Sequence, residues 1–319
     1  MAQGFGRSRP MILRARLGWS TRRRSSPESV GGRVRHRDGL GERERVRSRA
    51  ATDTGAVSMT ASDSDPDLPH RLTLHDDDDV MIPLIRKLER FGPVSTEDRA
   101  ILTRLCGAIS LIGPRMEIVR EGERPDGVHV LLEGMACRCK LRANGTRQIL
   151  AYLVPGDFCD LDTGLLDRRD HAITSLSACR FTRMDFVPLG NLVREQATLV
   201  TTLRRANLVD DAILREWIVN LGSRSAIERI AHLFLELLMR LRAVGLVRGD
   251  GYDLPVSQLD LADATGLASV HVNRTLQDLK RQGLIELRSR ILTIRNVQRL
   301  TSLAGFDPRY LSLDPMASR

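Results

Sequence analysis

"ATGLASVHVNRTLQDLKRQGLIEL", residues 264–287, carries the densest local signals in the chain. Just before it, Ser257 opens a segment in which Leu259, Leu261, Ala262 and Ala264 recur as on a short helix. The Ser257 hydroxyl suits the start of that helix, because it can accept from an orphan N–H of the first turn. Gly266 tolerates the left-handed conformation in which helices commonly end. A second helix follows, with Val272, Leu276 and Leu279 on one face and Ser269, His271, Asn273, Arg274, Gln277 and Lys280 on the other. Ala268 is a poor cap for it, so Ser269 is expected to take that role. Then "GLIELRSRILTIRN" sets Ile285 and Leu287 against Ile291, Leu292 and Ile294, with Arg288-Ser289-Arg290 at the turn between two strands.

Two short helices joined through a glycine turn have the pattern of a helix-turn-helix, and a basic hairpin directly behind them adds a wing. The polar face of the second helix has two readings, a solvated surface or a set of contacts to duplex DNA. The arginines at the wing tip, well placed for phosphate, favour the second.

Upstream, "SAIERIAHLFLELLMRLRA" (225–243) reads as a helix, with Ser225 and Glu228 in a capping box and Ile227, Ile230, Ala231, Phe234, Leu237, Leu238 and Leu241 in one apolar stripe. His232 beside that stripe reads as a packed histidine rather than a metal ligand. Before it, residues 189–221 form a long helical stretch in which Leu192, Leu199, Ala206 and Ile213 fall seven apart. Leu203 and Trp217 supply companion positions, and Asp210 interrupts that second row. Such a near-heptad seam is expected to join two copies of the chain, the alternative being a helix packed on its own domain.

Between residues 113 and 186 the pattern changes to short strands, with Gly134, Gly145 and Gly156 recurring every 11 residues and a hairpin turn at Asn144-Gly145. Cys137, Cys139 and Leu141 alternate with Arg138 and Lys140, as on a half-buried strand. Short strands at this spacing suggest a small barrel or roll. Cysteines so placed are usually small core residues, with redox sensing the less common reading. Two short helices are expected over 80–110, separated at Gly92-Pro93, the second capped by Ser95 with Asp98.

The net charge of +9 is local: the first 58 residues hold 14 Arg against 5 acidic residues, and the other 261 balance 35 Lys plus Arg against 35 Asp plus Glu. That first segment has no sustained apolar period and is not expected to fold alone. Three readings stand for it. It is a basic arm for nucleic acid; or it resembles an Arg- and Ser-rich transit peptide, with Glu42 and Glu44 against that; or translation begins at Met59, where the sequence turns acidic. No run of 18 apolar residues is present, so no membrane partner is expected. Five cysteines with no CxxC pair fit a reducing cytoplasm. No G-x-S-x-G, H-E-x-x-H or P-loop pattern occurs, so neither an enzyme, a metal site nor a cofactor is expected.

The stretch "QLDLADATGLASVHVNRTLQDLKRQGLI" resembles the winged helix-turn-helix of the Crp/Fnr transcription regulators, and "VLLEGMACRCK" with "LVPGDFCDL" resembles that family's cyclic-nucleotide-binding-type roll. The resemblance covers roughly residues 80 to 305. It implies an α+β protein: a disordered Arg-rich tail over 1–58, an acidic segment over 59–79, a cupin-like β-roll sensor over 80–188, a dimerisation helix over 189–222, a winged helix-turn-helix over 223–305 and a tail over 306–319.

It further implies a homodimer on an inverted repeat of double-stranded DNA, with RNA polymerase as a partner. Arg274 matches a base-contacting Arg, and Ser269 and Val270 occupy the other base-reading places, Val270 where many members carry Glu. His271 and Asn273 are expected at phosphate or base edges, and Ser257, Arg288 and Arg290 complete the expected DNA-binding set. Members that bind cyclic AMP carry a Gly-Glu-Leu segment and an Arg-Ser pair after the "PGDF" turn. Here Asp160-Leu161 and His171-Ala172 fall near those places, and Asp162, Asp167 and Asp170 add negative charge. Arg168 and Arg169 are expected in a loop, where they compensate little. A cyclic phosphate is therefore not expected to bind, and no other effector is assigned. Iron–sulfur members carry an N-terminal cysteine cluster, but the first cysteine here is Cys106. The competing class is a small-molecule signalling module acting through protein contacts.

Overall fold

The computed structural model of the chain describes residues 80–161 and 163–313. The segments 1–58 and 59–79, Asp162 and residues 314–319 lie outside the described residues, as do the expectations placed on them. Helix α1 (Ile82–Glu89) precedes α2 (Thr96–Leu105), which begins in the expected capping box. The Ser95 hydroxyl accepts from the Asp98 N–H at 3.0 Å, and the Asp98 carboxylate accepts from the Ser95 N–H at 2.9 Å.

Seven strands follow: β1 (Ser110–Ile112), β2 (Glu117–Val119), β3 (Val128–Glu133), β4 (Ala136–Leu141), β5 (Arg147–Leu153), β6 (Ala172–Ser175) and β7 (Cys179–Met184). They form two antiparallel sheets, ordered β1-β7-β3 and β2-β6-β4-β5. Val119, Leu131, Ala136, Leu153, Ile173 and Phe181 form one apolar cluster of this roll. Gly156 of the "PGDF" turn has φ +93°, and a Cβ there would meet the Pro83 carbonyl oxygen at 2.7 Å, so the turn fits against α1 only without a side chain.

The alternation expected on β4 holds for Cys137 and Cys139, which are buried, and fails at Leu141, which is 68% exposed. Arg138 points into the protein instead and lies 3.7 Å from Asp160 and 3.6 Å from Asp210. The β4–β5 register shifts between Arg138 and Cys139, leaving Leu150 as an extra residue on β5. Such a bulge re-aims the side chains beyond it. Ile149 and Tyr152, on either side of the shift, join Cys137 and Cys139 in a core shared with the C-terminal domain.

The expected single helix over 189–221 is two, α3 (Phe186–Glu195) and α4 (Ala197–Ser223), separated at Gln196. The expected dimer seam lies inside the chain. Leu192, Leu199, Leu203 and Ala206 pack in a core with α1, α2 and the roll, while Ile213 and Trp217 pack in the core shared with the C-terminal domain. Seven-residue spacing marks a buried stripe and does not say what buries it; here both domains of the same chain do.

The C-terminal domain comprises α5 (Ala226–Ala243), β8 (Gly251–Asp253), α6 (Gln258–Thr265), α7 (Ser269–Arg281), β9 (Ile285–Arg288), β10 (Ile291–Ile294) and α8 (Val297–Ala304), with a sheet ordered β8-β10-β9. Helix α5 is its core, burying Ile230, Phe234, Leu237 and Leu238 completely. His232 is packed, as expected, with its ring centroid 5.0 Å from that of Phe306 and 6.0 Å from that of Tyr310; burial pushes its pKa down to about 3. Residues 306–313, expected as part of a tail, dock instead: Tyr310 donates to Glu236 at 3.0 Å, and Arg90 donates to the Leu313 carbonyl at 2.6 Å.

Two buried carboxylates fix the C-terminal domain against the roll. Asp157 accepts from Lys87 at 2.8 Å, Arg240 at 2.5 Å and the Val154 N–H at 2.7 Å. Burial alone would raise its pKa, and the charges of Lys87 and Arg240 outweigh that and lower it. Asp260, on α6, accepts from Arg115 at 2.7 Å and from Arg147 at 2.6 Å. Arg147 also reaches Asp263 at 2.8 Å, and Tyr152 and Gln148 donate to the Asp260 and Asp263 carbonyls at 3.0 and 2.6 Å. Burial again opposes ionisation at Asp260. The hydrogen bonds from Arg115, Ser257 and Arg147 reverse it and hold the carboxyl well below the usual carboxylate range.

Candidate nucleic-acid interface

Ser257 starts α6 as its sequence position suggests. Its hydroxyl accepts from the Asp260 N–H at 3.1 Å, and both its own N–H and its hydroxyl donate to the Asp260 carboxylate, at 2.8 and 2.6 Å. Ser257 thus spends both donors inside the cap. Gly266 ends α6 with φ 64°, in the left-handed region.

Helix α7 begins at Ser269, with Ala268 at the N-cap and no side-chain cap, so Ser269 does not take the capping role expected of it. The first turn holds no acidic residue. Its uncapped N–H groups and the positive end of the helix dipole therefore face outward without internal competition. Val272, Thr275, Leu276 and Leu279 are buried, which turns Ser269, Val270, His271, Asn273, Arg274 and Gln277 to the surface. Val270 is 79% exposed, an apolar side chain kept out of the core. Asn273 donates to Gln258 on α6 at 3.1 Å, bringing Gln258 into the surface. Sequence reasoning missed that residue; its position one past a cap, on the outward side of the first helix, was the available signal.

The wing forms as expected from β9 and β10, and Ser289 and Arg290 both take positive φ (46° and 65°) in the tight turn. That conformation disfavours residues with a Cβ, so the turn holds two strained positions at its tip. Arg290 is exposed, and its carbonyl anchors the turn by accepting from the Leu254 N–H at 2.7 Å. Arg288 is exposed but pairs with Glu286, which also pairs with Arg295, so part of its charge is already answered.

The roll holds a second polar cluster where a cyclic phosphate would be expected. Arg169, expected in a loop, is buried: it lies 3.0 Å from Asp126 and 3.6 Å from Asp160. His171 Nε2 lies 3.0 Å from the same Asp160 and Nδ1 2.8 Å from Asp170. Burial lowers the His171 pKa, but the hydrogen bond to Asp160 more than offsets it, so the imidazole is held above its ordinary value. Asp167 is exposed, and the exposed Arg168 donates to the Gly122 carbonyl at 2.8 Å. Among the described residues no group of three or more His, Cys, Asp or Glu is placed to hold a metal ion, and no helix is long and apolar enough to cross a membrane.

A two-sheet roll, a long connecting helix and a winged helix-turn-helix define a class of regulators that pair a sensor with a DNA reader. Comparison with known proteins agrees. Residues 113–196 match the cyclic nucleotide-binding domain family, and residues 228–303 match the Crp-like helix-turn-helix domain. The chain is 31% identical over 176 residues to the nitrogen fixation regulation protein FixK of Bradyrhizobium diazoefficiens, covering 55% of this chain and 73% of that one. It is 29% identical over 195 residues to the transcriptional activator protein FnrL of Cereibacter sphaeroides, covering 60% and 77%. Among solved structures, FixK2 from Bradyrhizobium japonicum superposes with a TM-score of 0.56 at 25% identity, covering 66% of this chain and 98% of that one. The chain belongs to the Crp/Fnr family of transcription regulators.

Proposed function

We propose that the chain acts in the cytoplasm as a homodimer that reads an inverted-repeat DNA site with α7, without enzymatic activity and without cyclic AMP. The observation that carries the reading is the outward face of α7. Arg274 stands there exposed, beside Ser269, Val270, His271 and Asn273 and one turn from an uncapped helix start. An Arg so placed suits the O6 and N7 acceptors of guanine, and Val270 suits a thymine methyl. Arg290, and Arg288 in part, would hold phosphate at the wing. A role as activator, as in the name of FnrL, would add a contact with RNA polymerase.

The case against cyclic AMP rests on the roll. Asp160 answers Arg169, Arg138 and His171 from inside the protein, so a cyclic phosphate would have to displace a carboxylate already in place.

The dimer reading moves to the other face of α4. Leu208, Ile218 and Val219 are 55%, 70% and 46% exposed. Thr201, Leu208, Arg215 and Gly222 fall seven apart on that side, with Arg204, Asp211 and Ile218 between them. Two copies joined there would set two α7 helices on successive major-groove faces of a palindrome. Replacing Arg274 with Ala should weaken operator binding by about 1–3 kcal/mol and relax preference at one base of each half-site. Titration of labelled duplexes carrying each base at that position checks it; unchanged affinity and preference would remove Arg274 from the reading.

A further inference from the structure

Helix α6 is held from two directions, and at its start the hold comes from outside its own domain. At its end, the Arg229 guanidinium of α5 donates to the Thr265 carbonyl at 2.9 Å and to the Arg224 carbonyl at the same distance. Leu221 of α4 closes over the turn, where a Cβ at Gly266 would meet its side chain at 3.4 Å. At its start, four side chains of the roll reach it. Arg147 of β5 spreads across one helical turn, with Nη2 on Asp260 and Nε on Asp263, and Arg115 brings a second guanidinium to Asp260. Gln148 and Tyr152 donate to the backbone carbonyls of Asp263 and Asp260.

The Arg115 contact comes from a strained turn. Its φ is 64°, in the left-handed region that a residue with a Cβ disfavours. That conformation persists where the surroundings over-determine it, and Ser175 of β6 does so here. The Ser175 carbonyl accepts from the Arg115 N–H at 3.0 Å. Its hydroxyl accepts from the Met116 N–H at 2.9 Å and donates to the Gly113 carbonyl at 2.7 Å. Ser175 is fully buried, so these bonds are closed to water. Adhesion alone calls for neither a strained arginine nor a fork across two carboxylates, because the apolar core around Tyr152, Trp217 and Leu261 already joins roll and reader. Ion pairs to buried carboxylates add little net stability over apolar packing; what they impose is one geometry.

We propose that Arg115 and Arg147 are positioning residues for DNA reading: they set the angle at which the roll presents α6, and α7 with it, and so fix the half-site spacing that the dimer accepts. This role rests on the reading of an inverted repeat by two α7 helices. Helices α6 and α7 pack against each other in the core that holds Leu261, Ala262, Val272 and Leu276, so a constraint on one is a constraint on both. One base pair inserted between two half-sites moves the second by about 3.4 Å and turns it by about 35°. A reader gripped by the roll does not follow that turn. A reader released at α6 follows part of it.

The test titrates the full chain, as wild type, Arg147→Gln and Arg147→Lys, with duplexes carrying the repeat that the wild type selects. The centre of that repeat is left unchanged, lengthened by one base pair or shortened by one. Lysine keeps a charge beside the buried carboxylates but cannot span Asp260 and Asp263 together, so Arg147→Lys decides the matter if Arg147→Gln does not fold. The wild type should bind one spacing sharply best. In Arg147→Lys, affinity at that spacing should fall about tenfold as preorganisation is lost. The loss at the other two spacings should be much smaller, which flattens the profile, and base preference within each half-site should stay as it was. Arg115→Gln should flatten the profile in the same direction. An unchanged profile, an equal loss at every spacing, or an altered base preference would each overturn the proposal, the second because mere adhesion predicts it. A wild type that selects no inverted repeat removes the palindrome reading and this role with it, a result read before any variant is made.

Discussion

At the scale of single residues, Asp260 does the most. It completes the cap of α6 through Ser257 and accepts from two arginines of the roll, so one carboxylate both starts the helix-turn-helix and ties it to the sensor. Asp260→Asn keeps the shape and removes the charge. It leaves two guanidinium groups partly unanswered and should lower unfolding free energy by about 3 kcal/mol at neutral pH. The native pKa of Asp260 is depressed, so its contribution is complete above the unfolded value of about 4 and fades as pH falls below it. Urea unfolding of both proteins should therefore show a gap at pH 7 that narrows on acidification. A gap constant with pH would mean the carboxylate charge is not what the arginines hold. None of this was legible in the sequence, since Asp260 lies 145 residues from Arg115 and 113 from Arg147. What could be read was local: Ser95 with Asp98, Ser225 with Glu228, Ser257 before its helix and Gly266 after it each announce a helix end by chemistry confined to a few residues.

At the scale of elements, the contrast between α7 and α4 is instructive. The two faces of α7 separate cleanly in the sequence, and the structure buries Val272, Leu276 and Leu279 and exposes the polar set as that pattern requires. The same kind of pattern misled on α4, because the spacing of an apolar row does not say whether its own chain or a second copy buries it. The more regular row, Leu199 to Trp217, with Leu192 of α3 before it, is claimed by the chain's own roll and C-terminal domain. The sparser row with Leu208 and Ile218 is the one left exposed. If that exposed row joins two copies, replacing Leu208 and Ile218 together with Asp should give a folded monomer in sedimentation, since neither side chain supports the monomer core. The same pair of changes on Leu199 and Leu203 should unfold the chain. A dimer that survives the Leu208 and Ile218 changes would place the interface elsewhere. The bulge at Leu150 was likewise illegible: it depends on how β5 pairs with β4, not on any residue that marks a break.

At the scale of the whole molecule, charge is divided unevenly. Residues 59–319 balance to zero, so DNA affinity in that part rests on the local set at α7 and the wing rather than on long-range attraction. A regulator holding phosphates at the wing and helix start should still lose affinity with salt, by about 0.9 logarithmic units of binding constant per tenfold salt for each phosphate neutralised. Titrations across salt concentrations measure that slope, and a flat response would favour a module that works through protein contacts. The roll and the reader are joined by Asp157 with Lys87 and Arg240, and by Asp260 with Arg115 and Arg147. The two domains are therefore held together by ion pairs to two buried carboxylates. Selection of binding sites from random duplex DNA by the full chain, without added nucleotide, tests the proposed reading of a palindrome through α7. The expected result is enrichment of one inverted repeat, whose half-site changes at one base when Arg274→Ala is selected in parallel; recovery of unrelated sequences, or of the same repeat with no change for the variant, would contradict that reading.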